Sequence, residues 1–111
     1  MDIFSLLNLA AAKGASDVHL IVSSPPMLRI NGSLESLGGA ALLTPEEVSE
    51  ALLQITTPEQ REHFHHHLEL DFSYTLPGVG RVRCNASRQQ GTVSLALRLL
   101  PSVIPTIDEL G

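Results

Sequence analysis

Apolar and polar residues alternate strictly in three stretches near the end of the chain, a pattern that predicts β-strands with one buried face. In residues 93–99 every second residue is apolar, and residues 80–86 and 69–76 alternate in the same way. Gln90 and Gly91 lie between the last two stretches and are suited to a tight turn. The sequence therefore predicts a long antiparallel hairpin near its end.

The register of this hairpin follows from its turn. With Gln90 and Gly91 at the centre, Arg83 lies opposite Arg98, and Arg81 lies two residues away on the same face. A slip of one residue would place leucines against arginines, so burial of the apolar face favours this pairing. Like charges that face each other across a sheet are destabilising. We therefore expect a countercharge here, either a bound anion or a neighbouring acid.

Earlier segments carry clear start and stop signals. Capping boxes at residues 44–47 and 57–60 begin two helices, each with proline at its first position. Asn31-Gly32 is a strong hairpin signal, and Gly14 is a natural end for a first helix. The expected order is α-β-β-β-α-α-β-β-β, an α+β fold with an antiparallel sheet of about six strands and helices on one face. The predicted segments are 2–13, 16–22, 27–30, 33–37, 44–55, 57–68, 69–76, 80–86 and 93–100.

Composition narrows the classes of function. The 111 residues fit one domain, and 12 acidic against 7 basic residues give a net charge of −5. This balance argues against nucleic-acid binding, whereas three of the seven basic residues, Arg81, Arg83 and Arg98, cluster on one face of the hairpin and favour a small anion. Cys84 is the only cysteine and falls on the apolar face, so we expect a buried, unreactive thiol in a reducing compartment. We expect neither a secretory signal nor a membrane span.

Two polar clusters are candidates for other chemistry. His63 and His67 are four residues apart on a predicted helix, with Glu59 on the same face, which is a spacing compatible with metal ligands. Exposed histidines on helices are usually solvated, so we expect no metal site. Asp17 and His19 share the outward face of the first strand, where we expect a surface or domain-interface contact rather than catalysis.

Several segments together resemble the PilT group of type II and type IV secretion ATPases. Each motif alone is weak, but the set occurs in order along essentially the whole chain. The matching segments are 15–20, similar to "ASDLHL"; 25–32, similar to "PPMxRxdG"; 70–74, similar to "TDFSF"; 80–85, similar to "xRFRVN"; 98–101, similar to "FRxIP"; and 107–111, similar to "xxEELG".

The resemblance implies a PAS-like N-terminal domain of a twitching-motility or secretion ATPase. Residues 1–100 would form this domain, and 101–111 would lead into a RecA-like ATPase domain. By motif position, Arg81, Arg83 and Arg98 would contact the phosphates of ATP at the domain interface. The sequence contains no G-x-x-x-x-G-K-[ST], so the fragment alone should neither hydrolyse ATP nor bind a cofactor, and the other domain would bind ATP and Mg²⁺.

The resemblance also implies partners and a location. These are the ATPase domains of the same and neighbouring subunits in a homo-hexamer, and an inner-membrane platform protein reached from the cytoplasm. The capping box formed by Thr106 and Glu109 fits a helix that continues beyond Gly111. Two alternatives remain. Asp71 or Glu69 could neutralise the arginine face, and the chain could be a free-standing PAS-like sensor of an anion or small ligand.

Overall fold

The computed structural model describes residues 2–37, 39 and 41–101, with the backbone alone at Pro101. It contains the predicted nine elements in the predicted order. The tail that carries the Thr106–Glu109 capping box lies outside the described residues, as does most of the expected linker. The elements are α1 (Ile3–Ala12), β1 (Ala15–Leu20), β2 (Met27–Ile30), β3 (Ser33–Ser36), α2 (Pro45–Ile55), α3 (Pro58–His66), β4 (Glu69–Leu76), β5 (Gly80–Gln89) and β6 (Thr92–Pro101).

The six strands form a single sheet in the order β3-β2-β1-β6-β5-β4, and all neighbours are antiparallel. Strands β1 to β3 form one β-meander and β4 to β6 form a second. The two meanders join at the centre of the sheet, where β1 pairs with β6. The α+β class and the antiparallel sheet are thus confirmed. The adjacency of β1 and β6 is what brings residues 81 positions apart into contact.

Two tight turns set the registers of the hairpins. Asn31 and Gly32 have φ of 51° and 83°, and Gln90 and Gly91 have φ of 53° and 82°. Two successive positive φ values are the mark of a type I′ turn, whose twist matches that of the strands it joins. The predicted register of the second hairpin is confirmed, because Arg83 pairs with Arg98.

The helices begin where their caps predict. The side-chain oxygens of Thr44 and Thr57 each accept a hydrogen bond from the backbone amide three residues ahead, and the backbone amide of each threonine donates one in return to the side-chain oxygen of that residue. Some predicted ends were wrong by one or two residues. The first strand starts at Ala15 and ends at Leu20, and α3 ends at His66 with His67 as its C-cap.

Helices cover one face of the sheet, and the core lies between them and the strands. Val18, Val82, Leu95 and Leu97 are at most 1% exposed. Cys84 is also buried on this face, and burial raises the pKa of its thiol to about 12. No buried polar side chain occurs among the described residues. On the opposite face of the sheet, the polar side chains of the described strands are half-buried or exposed. The candidate site lies on this open face.

Among the described residues, no helix has both the length and the apolar character that a bilayer span requires.

Candidate functional site

A row of charged side chains crosses the open face of the sheet. In register across β1, β6, β5 and β4 are Asp17, Arg98, Arg83 and Ser73. All four have the parity that points away from the buried residues, because side chains alternate between faces. We call these four residues the arginine row. Arg81 lies beside it on β5, between Thr75 and Leu100.

Arg98 and Asp17 form an ion pair across β6 and β1. Arg98 Nε donates to Asp17 Oδ2 at 3.4 Å. The Asp17 side chain is only 14% exposed, whereas that of Arg98 is 67% exposed. Partial burial of Asp17 works to raise its pKa, but a hydrogen bond from Ser16 and the charge of Arg98 outweigh it. The pKa of Asp17 therefore lies below its ordinary value, and the carboxylate is charged at neutral pH.

Arg81 and Arg83 are free of such partners. Neither guanidinium makes a hydrogen bond or ion pair within residues 2–37, 39 and 41–101. Both side chains are exposed. The row therefore contains one neutralised arginine and, opposite it, an arginine with an unsatisfied charge. Guanidinium groups of this kind are suited to bind phosphate or carboxylate oxygens.

The alternative that Asp71 or Glu69 neutralises the arginine face is not what the structure contains. Asp71 accepts a hydrogen bond from Asn85 Nδ2 at 2.8 Å and is not paired with an arginine. Glu69 lies opposite Ser87, two rows away from Arg83. Neither of these two acids forms an ion pair with an arginine among the described residues, and Asp17 pairs with Arg98 because β1 lies beside β6.

A shallow groove of about 500 Å³ runs over this face. Arg83 and Arg98 line it together with the carboxylates of Asp17 and Asp71 and the ring of His19. The two arginines and the two carboxylates of the groove balance in formal charge. The open face of the sheet therefore has no strong net positive charge. Its capacity to attract an anion depends on Arg81 and Arg83, which have no partners among the described residues. Asp17 and His19 are on this outward face, as predicted.

Arg88 lies elsewhere, although it belongs to the same hairpin. It is on the helix-covered side of β5, where its guanidinium carbon is 4.5 Å from the centre of the Phe64 ring. This distance is typical of a cation–π contact. Arg88 therefore serves packing at the hairpin tip and is not part of the arginine row.

The histidines of α3 do not form a metal centre. The rings of His63 and His67 are stacked, with centres 4.0 Å apart and planes 10° from parallel. One ion cannot lie in both ring planes in this arrangement, and His67 Nδ1 is already 2.9 Å from the carbonyl oxygen of His63. His66 pairs with Glu62 at 2.8 Å. No group of three or more potential metal ligands occurs in the described parts of the chain, so Glu59 completes no site with the histidines.

Comparison with known proteins gives relatives over the full length of the chain. The type IV pilus retraction ATPase PilT of Pseudomonas aeruginosa is 39% identical over 111 residues, which are all of this chain and 32% of PilT. The type IV pilus ATPase PilU of the same bacterium is 33% identical over 110 residues, which are 99% of this chain and 28% of PilU. The chain thus spans about a third of the length of each relative.

A solved structure agrees with the sequence matches. The crystal structure of the pilus retraction motor PilT with bound ADP superposes on this chain with a TM-score of 0.85 and 36% identity. The superposition covers all of this chain and 32% of that one. No family model matches the sequence.

Proposed function

We propose that this chain is the N-terminal domain of a pilus-retraction or secretion ATPase, because its whole length is similar to about a third of PilT and of PilU. In this role Arg83, with Arg81 and Arg98, contributes positive charge to a nucleotide site shared with a RecA-like ATPase domain. Residues 1–100 form the domain, and 101–111 lead towards the ATPase domain.

One observation supports the arginine role most directly. Arg83 lies opposite Arg98 in the register, and Arg83 has no acidic partner among the described residues. Two guanidinium groups held across adjacent strands repel each other, and a shared anion removes that repulsion. Exposure of Arg83 also leaves its donors free to reach a ligand that lies outside this domain.

The chemistry proposed for the whole protein is phosphoryl transfer from ATP to water. In such reactions the protein stabilises charge on the phosphate oxygens, and arginines supplied by a neighbouring domain can raise the rate by about 10³–10⁵. The ATPase domain would supply the phosphate-binding loop and hold Mg²⁺, since the 111 residues contain no such loop. This chain's own residues would bind and orient the terminal phosphate.

The proposed assembly follows from the same reading. Arginines on an exposed sheet face can act on a nucleotide only when another domain is packed against that face. We therefore propose contacts with the ATPase domains of the same and neighbouring subunits in a homo-hexamer. The whole protein would act in the cytoplasm, at the inner membrane, through a platform protein.

The direct test is Arg83→Ala in the complete protein. We expect kcat for ATP hydrolysis to fall about tenfold or more, because the positive charge near the transferred phosphate is lost. The matched control is Arg88→Ala, which removes an arginine from the same hairpin on the opposite face and should leave kcat close to the wild-type value. Wild-type rates for both Arg83→Ala and Arg98→Ala would contradict the proposal.

The alternative is a free-standing sensor domain, and the form of the groove favours the first proposal. The groove lies on an open sheet face, whereas small-molecule sites usually bury most of their ligand. The coding sequence after Gly111 separates the two functions. A phosphate-binding loop encoded downstream supports the ATPase, and a stop codon supports the sensor.

A further inference from the structure

The two opposed arginines of the row differ in one respect, which is that only Arg98 has a countercharge. Asp17 lies beside Arg98 on β1, and Ser73 lies beside Arg83 on β4. Arg29, the neighbour of Asp17 on β2, directs Nη1 to the carbonyl oxygen of Gly32 at 3.0 Å. Arg29 therefore does not compete with Arg98 for the carboxylate of Asp17.

The geometry of the pair leaves the outer end of Arg98 unoccupied. Nε makes the single hydrogen bond to Asp17, at the long distance of 3.4 Å, and the terminal Nη groups make none within the described residues. Asp17 is mostly covered, and the guanidinium above it is exposed to the groove. A long ion pair with one exposed partner contributes little stability, so it can break readily.

We propose that Asp17 is the resident counter-ion of Arg98, and that a phosphate group binds this face by drawing Arg98 away from Asp17. This inference rests on the proposed function for the identity of the anion. Arg83 and Arg81 bind without giving up a partner, whereas Arg98 exchanges one carboxylate for a phosphate. Asp17 is thus a positioning residue that restrains Arg98 until a phosphate is present.

Arg98 gains from leaving the carboxylate of Asp17 only when the incoming anion is a phosphate group. A phosphate group carries more charge than one carboxylate and can accept two parallel hydrogen bonds from the Nη groups, which is the stronger geometry. A singly charged anion has no such advantage over Asp17. The counter-ion therefore makes Arg98 selective for phosphate groups over weaker anions such as chloride or acetate.

The inference is tested with inorganic pyrophosphate and the 111-residue chain. The Nε–Hε signal of Arg98 in NMR spectra should shift when pyrophosphate is added to the wild type, because Nε then leaves the carboxylate of Asp17. Asp17→Asn keeps the shape and removes the charge. We expect this variant to show a smaller shift of the Arg98 signal on addition of pyrophosphate, and to bind pyrophosphate about fivefold more tightly, since a competing charge is gone.

The control separates a specific pair from general electrostatics. Asp71→Asn removes the same charge from the same groove, but Asp71 accepts a hydrogen bond from Asn85 and forms no ion pair with an arginine. We expect it to change pyrophosphate affinity by less than twofold. In an Arg98→Ala background, Asp17→Asn should lose its advantage over Asp71→Asn, because the residue that Asp17 restrains is absent.

Three results would overturn the inference. These are equal effects of Asp17→Asn and Asp71→Asn, an Asp17→Asn effect that persists without Arg98, and no pyrophosphate binding by any variant. Each of them leaves the proposed ATPase role to be judged separately, because that role depends on the turnover of Arg83→Ala and Arg98→Ala in the complete protein.

Discussion

The two faces of the sheet are built from the same strands but are stabilised in different ways. On the covered face, β6 contributes Val93, Leu95, Leu97 and Leu99, all at most 7% exposed. On the open face the same strand contributes Ser94, Ala96 and Arg98, which are half-buried or exposed. Because apolar and polar residues alternate along the strand, the covered face stabilises the fold by apolar burial. The open face is left available for charged groups, and these can weaken the sheet.

The charged side chains lower the stability of the fold only where they face each other on the open face. Burial of apolar side chains stabilises the fold by about 25 cal/mol per Å², independently of direction or partner. The opposed arginines oppose folding unless an ion offsets them. Residues that lower stability in a fold that is otherwise consistent are characteristic of functional sites. The contrast between the faces is thus itself an argument for a ligand on the open one.

The largest expected change in stability comes from truncating an apolar side chain on the covered face of the sheet. Leu97→Ala should lower the free energy of unfolding by about 2–5 kcal/mol, because it removes a side chain that is 1% exposed and leaves a cavity. The measurement is urea denaturation of the 111-residue chain. The control is Ser94→Ala, which points to the other face and loses one hydrogen bond to Ser87 at 3.0 Å. A loss below about 1 kcal/mol for Leu97→Ala would show that this face is loosely packed.

The next effect depends on pH and concerns Cys84. Burial raises the pKa of its thiol from 9.0 to about 12, so the fold favours the neutral form. Stability is therefore fully present below pH 9, and it falls as pH rises from 9 towards 12 while the unfolded chain gives up the proton. The slope should approach about 1.4 kcal/mol per pH unit within that window.

The control for this pH effect is Cys84→Ala. It should lower stability at neutral pH but lose the part of the alkaline slope that belongs to the thiol. Thiol-specific reagents should label the native wild-type chain at pH 8 only as fast as it unfolds. Rapid labelling of the native protein would mean that Cys84 is more accessible than its 3% exposure indicates.

Most of the fold could be predicted because its signals are local. The turn at Asn31-Gly32 and the turn at Gln90-Gly91 each fix a hairpin register within a few residues. Capping boxes fix the starts of α2 and α3 in the same way. Burial then chooses the face of each strand, since a slip of one residue would expose every apolar side chain.

The partner of Arg98 could not be predicted because it depends on strand order. Asp17 and Arg98 are 81 residues apart, and no turn or periodicity shows that β1 lies beside β6. The two acids considered from the sequence, Asp71 and Glu69, lie on β4, the strand that precedes β5. Outward parity of Asp17 was readable from the sequence, but its neighbour across the sheet was not.

A smaller effect on stability tests the two turns that set the registers of the β2–β3 and β5–β6 hairpins. Gly91→Ala and Gly32→Ala should each cost about 1 kcal/mol, because an alanine at a φ of 82–83° is strained. No atom lies within 4 Å of the added Cβ at either position, so the costs should be similar. Thermal unfolding of both variants is the measurement. A much larger loss at Gly91 would indicate that the long hairpin, unlike the short one, changes register.

The smallest effect concerns the open face. Arg83→Ala should leave stability within about 0.5 kcal/mol of the wild type or raise it slightly, because it removes a charge that has no partner and faces Arg98. Arg98→Ala should lower stability slightly, because it leaves the mostly covered carboxylate of Asp17 without its cation. The two substitutions delete the same side chain from facing positions, so each is the control for the other.

Salt separates these two variants further. Exposed charges are screened over about 10 Å at 0.1 M salt, so added sodium chloride should stabilise the wild type by weakening the Arg83–Arg98 repulsion. That gain should be smaller in Arg83→Ala, where the repulsion is absent. Urea denaturation at low and high salt gives both quantities. Equal stability changes for the two variants, with equal salt dependence, would mean that Asp17 does not distinguish the two arginines in the free domain. Arg83 and Arg98 would then be electrostatically equivalent in the free domain.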